Sequence, residues 1–148
     1  MSLPPPVLVQ TPTLWQKCLT SLRQHKQLAI DTESNSLYAY REQVCLIQIS
    51  VPGYDYIVDP LALPSIDELG ELMADPSVEK IFHAAEYDLL CLKRDFGYSF
   101  SNLFDTMLAA RILGRKKVGL AAVLNQEFGI QVNKRYQRAN WGRRPLLP

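Results

Sequence analysis

The stretch LAIDTES, Leu28–Ser34, sets two acids two residues apart at the end of an apolar run. Side chains alternate along a β-strand, so Leu28, Ile30 and Thr32 fall on one face and Ala29, Asp31 and Glu33 on the other. The two carboxylates then share a face at the end of a buried strand. There they raise each other's pKa unless a cation joins them. All-oxygen donors of this kind suit a hard divalent ion such as Mg²⁺ or Mn²⁺. Two acids at a strand end can also simply turn into solvent, and the local sequence leaves both readings open.

Outward from this strand, VCLIQISV (44–51) is a continuous apolar run with β-branched residues and reads as a buried strand. PGYDYIVDP (52–60) reads as a turn and a short strand stopped by Pro60. Three strands with such short connections imply at least one antiparallel neighbouring pair. VEKIFHA (78–84) is a further strand, and SNLFD (101–105) a short extended piece. Between the strands lie helical patterns. Thr13 and Gln16 form a capping box ahead of Leu14, Cys18 and Leu22, predicting a helix over 13–25. Ser65 and Glu68 form a second, opening a helix with Ile66, Leu69 and Met73 on one face that ends near Asp75 and Pro76. Residues 85–97 form a helix that stops at Gly97, and two more apolar helical segments end at Gly114 and Gly129. This alternation predicts an α/β fold, a mixed sheet with helices on both faces. Neither a Rossmann glycine fingerprint nor a Walker-type phosphate loop occurs.

A third acid, Asp88, lies in the 85–97 helix. The core stripe there runs through Ala85, Leu89, Leu92 and Phe96, and Asp88 borders it, three residues from the first and four from the third. Glu86 points well away from the stripe and reads as solvated. An acid beside the core face can look across the end of a sheet; an ordinary surface acid is the alternative. His83, at the end of a strand, is a candidate ligand or base, or a structural histidine. Asp105 opens the next helix, where capping is a sufficient role. Tyr38 and Tyr40 follow the first acids in a loop and could stack on a base or pack locally.

The 148 residues suffice for one domain with a substantial core, and 47% hydrophobic with 21% charged residues is ordinary globular composition. No apolar run approaches ~18 residues, so no membrane span is predicted. The Pro-rich start MSLPPPVLVQTP lacks the pattern of a signal peptide. Cys18, Cys45 and Cys91 are scattered and odd in number, consistent with reduced thiols and a cytoplasmic location. The net charge of +1 conceals an asymmetry: residues 1–114 hold eight Lys/Arg and fourteen Asp/Glu, whereas 115–148 hold eight Lys/Arg and only Glu127. An acidic body with a basic end could hold cations in one place and a polyanion in another, or the end could be a solvated tail.

Taken together the segments resemble a known family. LAIDTES with VCLIQIS is similar to the first exonuclease motif of the DEDD superfamily, and IFHAAEYDLLCL to the second. NLFDTMLAARILG resembles the segment that follows, and NKRYQRANWGRRPL the late Gln-Arg-Ser-Asp-Trp and Arg-Pro-Leu stretch of ribonuclease D and its relatives. The resemblance covers about residues 25–146. It implies an RNase H-like fold, a mixed five-stranded sheet flanked by helices. It also implies 3′→5′ exonuclease activity on the single-stranded 3′ end of RNA or DNA by a two-metal mechanism. Asp31, Glu33 and Asp88 are then metal ligands, with Asp31 bridging two Mg²⁺ or Mn²⁺ ions, while His83 and Asp105 support the site. Lys134, Arg135, Arg138, Arg143 and Arg144 would contact phosphates, each adding to the salt dependence of binding.

Two departures stand out. Ala139 and Asn140 replace the usual Ser-Asp, and the sequence stops at RRPLLP, before the Tyr-x-x-x-Asp third motif that supplies the fourth ligand and a water-positioning Tyr. Residues 1–12 thus read as a Pro-rich segment and 13–148 as an exonuclease domain, C-terminally truncated and expected to bind metal weakly and cleave poorly. Transfer-RNA 3′-end trimming is a family-level expectation. The competing reading is a catalytically inactive nucleic-acid-binding module of the same fold; a weaker one is a phosphoesterase for small nucleotides.

Overall fold

A computed structural model describes residues 4–146. Its elements run β1 (Val7–Val9), α1 (Pro12–Leu22), β2 (Gln27–Ser34), β3 (Val44–Val51), β4 (Tyr54–Val58), α2 (Asp67–Ala74), β5 (Glu79–Phe82), α3 (Ala85–Phe96), β6 (Leu103–Asp105), α4 (Thr106–Ile112) and α5 (Leu120–Phe128). They form a mixed sheet in the order β1-β4-β3-β2-β5-β6. The pairs β2–β3 and β3–β4 are antiparallel, as short connections require. The pairs β2–β5, β5–β6 and β1–β4 are parallel.

Among the described residues the sheet has six strands rather than the expected five. The extra one comes from the Pro-rich start: Val7–Val9 lies along Tyr56–Val58, and Val9 is fully buried. The boundary drawn at residue 12 therefore cuts through the sheet. A three-residue strand at the edge has too little pattern to be read from sequence, yet its apolar face is covered all the same.

Helix α1 also starts earlier than its capping box suggested. Thr11, not Thr13, is the cap, accepting a bond from Leu14 N at 3.3 Å, and Pro12 occupies the first turn, where it sacrifices no hydrogen bond. The helix ends at Leu22, and residues 23–25 close it with turn hydrogen bonds. In α2, Glu68 does not return to Ser65. It accepts from Trp15 Nε1 at 3.2 Å and Gln16 Nε2 at 3.5 Å, joining α2 to α1.

The core lies between one face of the sheet and α1, α2 and α3. Leu28, Ile30, Ile47, Ile49 and Phe82 meet Leu19, Leu22, Leu69, Met73 and Leu92 there. Register carries the alternation across strands: Ile30 faces Ile49 and Ile49 faces Tyr56, all buried. The opposite face is more polar, with Asp31 beside Gln48 and Ala29 beside Ser50. There Thr106 of α4 and Leu120 of α5 wall a cavity of about 450 Å³ with Ala29, Asp31, Gln48 and Ser50.

Candidate active site

Strand β2 delivers Asp31 and Glu33 to the more polar face, while Thr32 turns to the other side. A register shift between Glu33 and Ser34 ends regular pairing with β3 just after the acids. Such irregularities re-aim side chains near sites. Thr32 bridges to the second motif, its hydroxyl donating to the carboxylate of Asp88. Asp88 is deeper than a border position. It is buried with Ala85, Cys91 and Leu92, while Leu89 and Phe96 are only partly covered, so the buried stripe of α3 is rotated toward it. Glu86 is exposed, as its helical phase requires.

All three acids are raised above their ordinary values. Burial pushes Glu33 up to about 7, helped by the negative charges of Asp31 and Asp88. Burial likewise raises Asp88 to about 6; the Thr32 hydrogen bond opposes this and the Asp31 and Asp105 charges add to it. Asp31 has open surface on one side, yet the surrounding protein still raises it, against its bond from Thr32 N and the nearby His83. Among the described residues no three His, Cys, Asp or Glu side chains converge tightly enough to cage an ion as they stand. In kind, however, the donor set fits a hard divalent cation. It is all-oxygen, it sits where burial disfavours uncompensated charge, and the Asp31 charge raises both Glu33 and Asp88.

His83 and Asp105 sit beside these acids. The Nδ1 of His83 lies 2.8 Å from Thr106 Oγ1, which is 3.1 Å from the carbonyl of Phe82. Its Nε2 is buried and has no hydrogen-bond partner among the described residues. Asp105 caps α4 as expected, accepting from Met107 N at 2.8 Å and Leu108 N at 3.2 Å. It also accepts from Ala84 N at 3.1 Å and Ala85 N at 2.8 Å, at the start of α3.

The basic end is tied to the loop that follows the acids. Tyr38 donates its phenol to the carbonyl of Arg138. Gly142 passes so close to Asn35 that a Cβ there would lie 3.0 Å from the amide nitrogen of Asn35. Lys134, Arg135, Arg138 and Arg143 are exposed, with the Arg135 guanidinium 5.4 Å from the ring centre of Tyr136. Arg144 is different and corrects the expectation of a phosphate contact. Its Nε and Nη2 donate to Asp59 at 2.9 and 2.7 Å, Nη2 also donates to Cys45 O at 3.0 Å, and Nη1 donates to Trp141 O and Arg143 O at 2.7 and 2.9 Å. All five guanidinium donors are thus engaged inside the protein, which leaves none for a phosphate.

The family model for the 3′-5′ exonuclease domain matches residues 6–148. The chain belongs to the 3′-5′ exonuclease family. Within it, this is a ribonuclease D-like member of the DEDD superfamily. The exosome complex exonuclease RRP6 of Saccharomyces cerevisiae is 37% identical over 142 residues, 95% of this chain and 19% of that protein. The catalytic core of RRP6 from Trypanosoma brucei matches with a TM-score of 0.87 at 33% identity, over 99% of this chain and 42% of that one. Escherichia coli RNase D matches with a TM-score of 0.88 at 27% identity, over 97% and 39%. The chain spans no more than about a fifth of the length of the curated relatives it matches.

For this exonuclease-family chain, three participants escaped the sequence reading. Thr32 was placed only by its strand face, although its hydroxyl joins the two motifs. Asn35, whose side-chain oxygen accepts from Gln43 N at 2.8 Å, shapes the loop that receives the basic end. Asp59 was an unremarked acid before Pro60, yet it is fully buried. A buried carboxylate requires a cationic partner, but nothing local indicates that this partner lies 85 residues downstream.

Proposed function

We propose that the chain forms the nuclease portion of a 3′→5′ exoribonuclease that removes nucleotides from single-stranded RNA ends with the help of divalent cations. The observation that carries this reading is the junction of the two acid motifs through Thr32 and Asp88, which gathers three carboxylates with raised pKa values at one end of β2. RNA is favoured over DNA because the similar E. coli protein is described as an exoribonuclease involved in structured RNA processing, and the yeast relative as an exosome exonuclease. Trimming of transfer-RNA 3′ ends is one processing role within that class.

Asp31, Glu33 and Asp88 would hold the cations, Mg²⁺ or Mn²⁺. Bound there, divalent ions supply charge neutralisation for the scissile phosphate and a more acidic water for in-line attack. The protein's own part is to offer the carboxylates ionised, with Thr32 keeping Asp88 oriented. Lys134, Arg135, Arg138 and Arg143 would draw in the RNA backbone and make binding salt-dependent. The exposed ring of Tyr38 offers a stacking surface in the loop that follows the acids.

The test is a single-stranded RNA labelled at its 5′ end and incubated with the 148-residue chain and Mn²⁺. A slow ladder growing from the 3′ end, lost in Asp31→Asn and Asp88→Asn, is expected. Salt-sensitive RNA binding with no Mn²⁺-dependent trimming would favour a binding module instead. Trimming that survives Asp31→Asn would overturn the site assignment. Brisk trimming would show that the three acids need no fourth.

A further inference from the structure

The carboxylate of Asp105 holds the starts of two helices at once, receiving four backbone N–H groups. Two of these belong to α4, where Asp105 is the cap. The other two belong to Ala84 and Ala85, at the start of α3. That helix has no cap of its own: Ala84 occupies the cap position, where it carries no acceptor, and adopts a left-handed conformation with φ 61° and ψ 56°. The first N–H groups of a helix need acceptors, and an alanine in the left-handed region persists only where its surroundings enforce it. Asp105 meets both needs from outside the helix.

The neighbouring residue adds a second hold. A threonine hydroxyl has one proton. Thr106 donates it to the carbonyl of Phe82, so it accepts from His83 and keeps the proton of that ring on Nδ1. Residues 105 and 106 therefore grip residues 82–85 on both sides of the left-handed turn. One helical turn beyond that grip is Asp88.

We propose that Asp105 is a positioning residue for the metal-binding carboxylates: by clamping the start of α3 it sets the reach of Asp88 to Thr32, and so the spacing of Asp88 from Asp31 and Glu33. The proposal rests on the exonuclease reading only for its catalytic consequence; the clamp itself is a matter of backbone geometry. Both carboxylate oxygens of Asp105 are engaged by backbone N–H groups. Its ordinary capping duty toward α4 is separable, because a serine serves as a helix cap but is too short to span to α3 as well.

Three variants test this. Asp105→Asn removes one of the two carboxylate acceptors, and Asp105→Ser keeps α4 capped while releasing α3. Both should fold. Asp105→Asn should lose hydrogen-exchange protection at the Ala85 amide, whose acceptor is the second carboxylate oxygen, and Asp105→Ser at both the Ala84 and Ala85 amides. Both should shift the side-chain carboxyl ¹³C resonance of Asp88. Mn²⁺ affinity and kcat should fall about 10–100-fold, the range seen when a residue supporting a ligand is removed. KM for RNA should be unchanged, since the basic end is untouched. Adding Ala84→Gly to Asp105→Asn should restore part of kcat, because glycine adopts the left-handed turn without enforcement. Parental Mn²⁺ affinity and kcat in Asp105→Ser, despite unprotected Ala84 and Ala85 amides, would overturn the proposal. Should the parent chain itself neither bind Mn²⁺ nor trim RNA, the exonuclease reading fails. The Asp88 resonance then decides the clamp alone: a shift supports it, and an unmoved resonance overturns it.

Discussion

Arg144 and Asp59 form a bidentate pair, at 2.9 and 2.7 Å, between the basic end of the chain and the last turn of sheet before Pro60. Burial alone would raise the Asp59 carboxyl, but Arg144 and Gln10 outweigh that and hold it below the ordinary carboxylate value. Removing the guanidinium leaves a fully buried carboxylate without a counter-charge. Arg144→Ala should therefore cost about 3–5 kcal/mol of stability, the usual consequence of breaking a buried pair. Arg144→Lys should recover little, because an ammonium cannot reproduce the fork. Urea unfolding measures both. In the folded Lys variant the salt dependence of RNA binding should match the parent, whereas Arg138→Ala should flatten it. A flattened slope in Arg144→Lys would return Arg144 to the RNA interface.

The Thr32–Asp88 bond predicts a change in pH profile as well as in rate. Thr32→Val keeps the shape of the side chain and removes the donor, so Asp88, already near 6, should move further up. Trimming should then fall most steeply below neutrality and recover partly in alkaline buffer. Thr32→Ser, which keeps the hydroxyl, should retain the parental profile. A uniform loss at every pH in Thr32→Val would indicate a packing defect instead.

Glu33 gives a sign to the stability of the metal-free chain. Its carboxyl is raised from an ordinary 4.5 to about 7, with burial as the main cause. The folded state then holds more protons than the unfolded state across that interval, so stability falls as pH rises through it. Asp88 contributes in the same direction up to about 6. Mn²⁺ requires the ionised forms, so its affinity should rise over the same range. Thermal melts from pH 5 to 8 (Tm with and without Mn²⁺) should show a gap that widens with pH. A constant gap would remove Glu33 and Asp88 from the metal site.

The sequence carried the acid strand, the order of elements and the antiparallel centre of the sheet, because these rest on periodicity and short connections. Asp31 and Glu33 share a face for no deeper reason than alternation. Other features rest on tertiary contacts that no local pattern encodes. Val7–Val9 becomes a strand because β4 has a free edge, and Glu68 leaves its capping box because Trp15 Nε1 is near. Asp88 looked like a border residue because helical phase is set by neighbours as well as by spacing. The basic residues of 134–144 read alike in one dimension; burial separates Arg144, whose partner is invisible until β4 is beside it.

Tyr38 offers two roles that substitution can separate. Its hydroxyl ties the loop after the acids to the carbonyl of Arg138, while its ring remains largely exposed. Tyr38→Phe removes only the tie and should cost about 1 kcal/mol of stability or less, the net worth of one hydrogen bond. It should also speed tryptic cleavage at Arg138 by loosening the basic end. Tyr38→Ala removes the ring too. If the ring stacks on a base, this second change should weaken RNA binding by a further ~1–3 kcal/mol. Equal RNA affinities for the Phe and Ala variants would leave Tyr38 as a tether alone, and the base-stacking surface would have to be sought at Tyr40, which is fully exposed in the same loop.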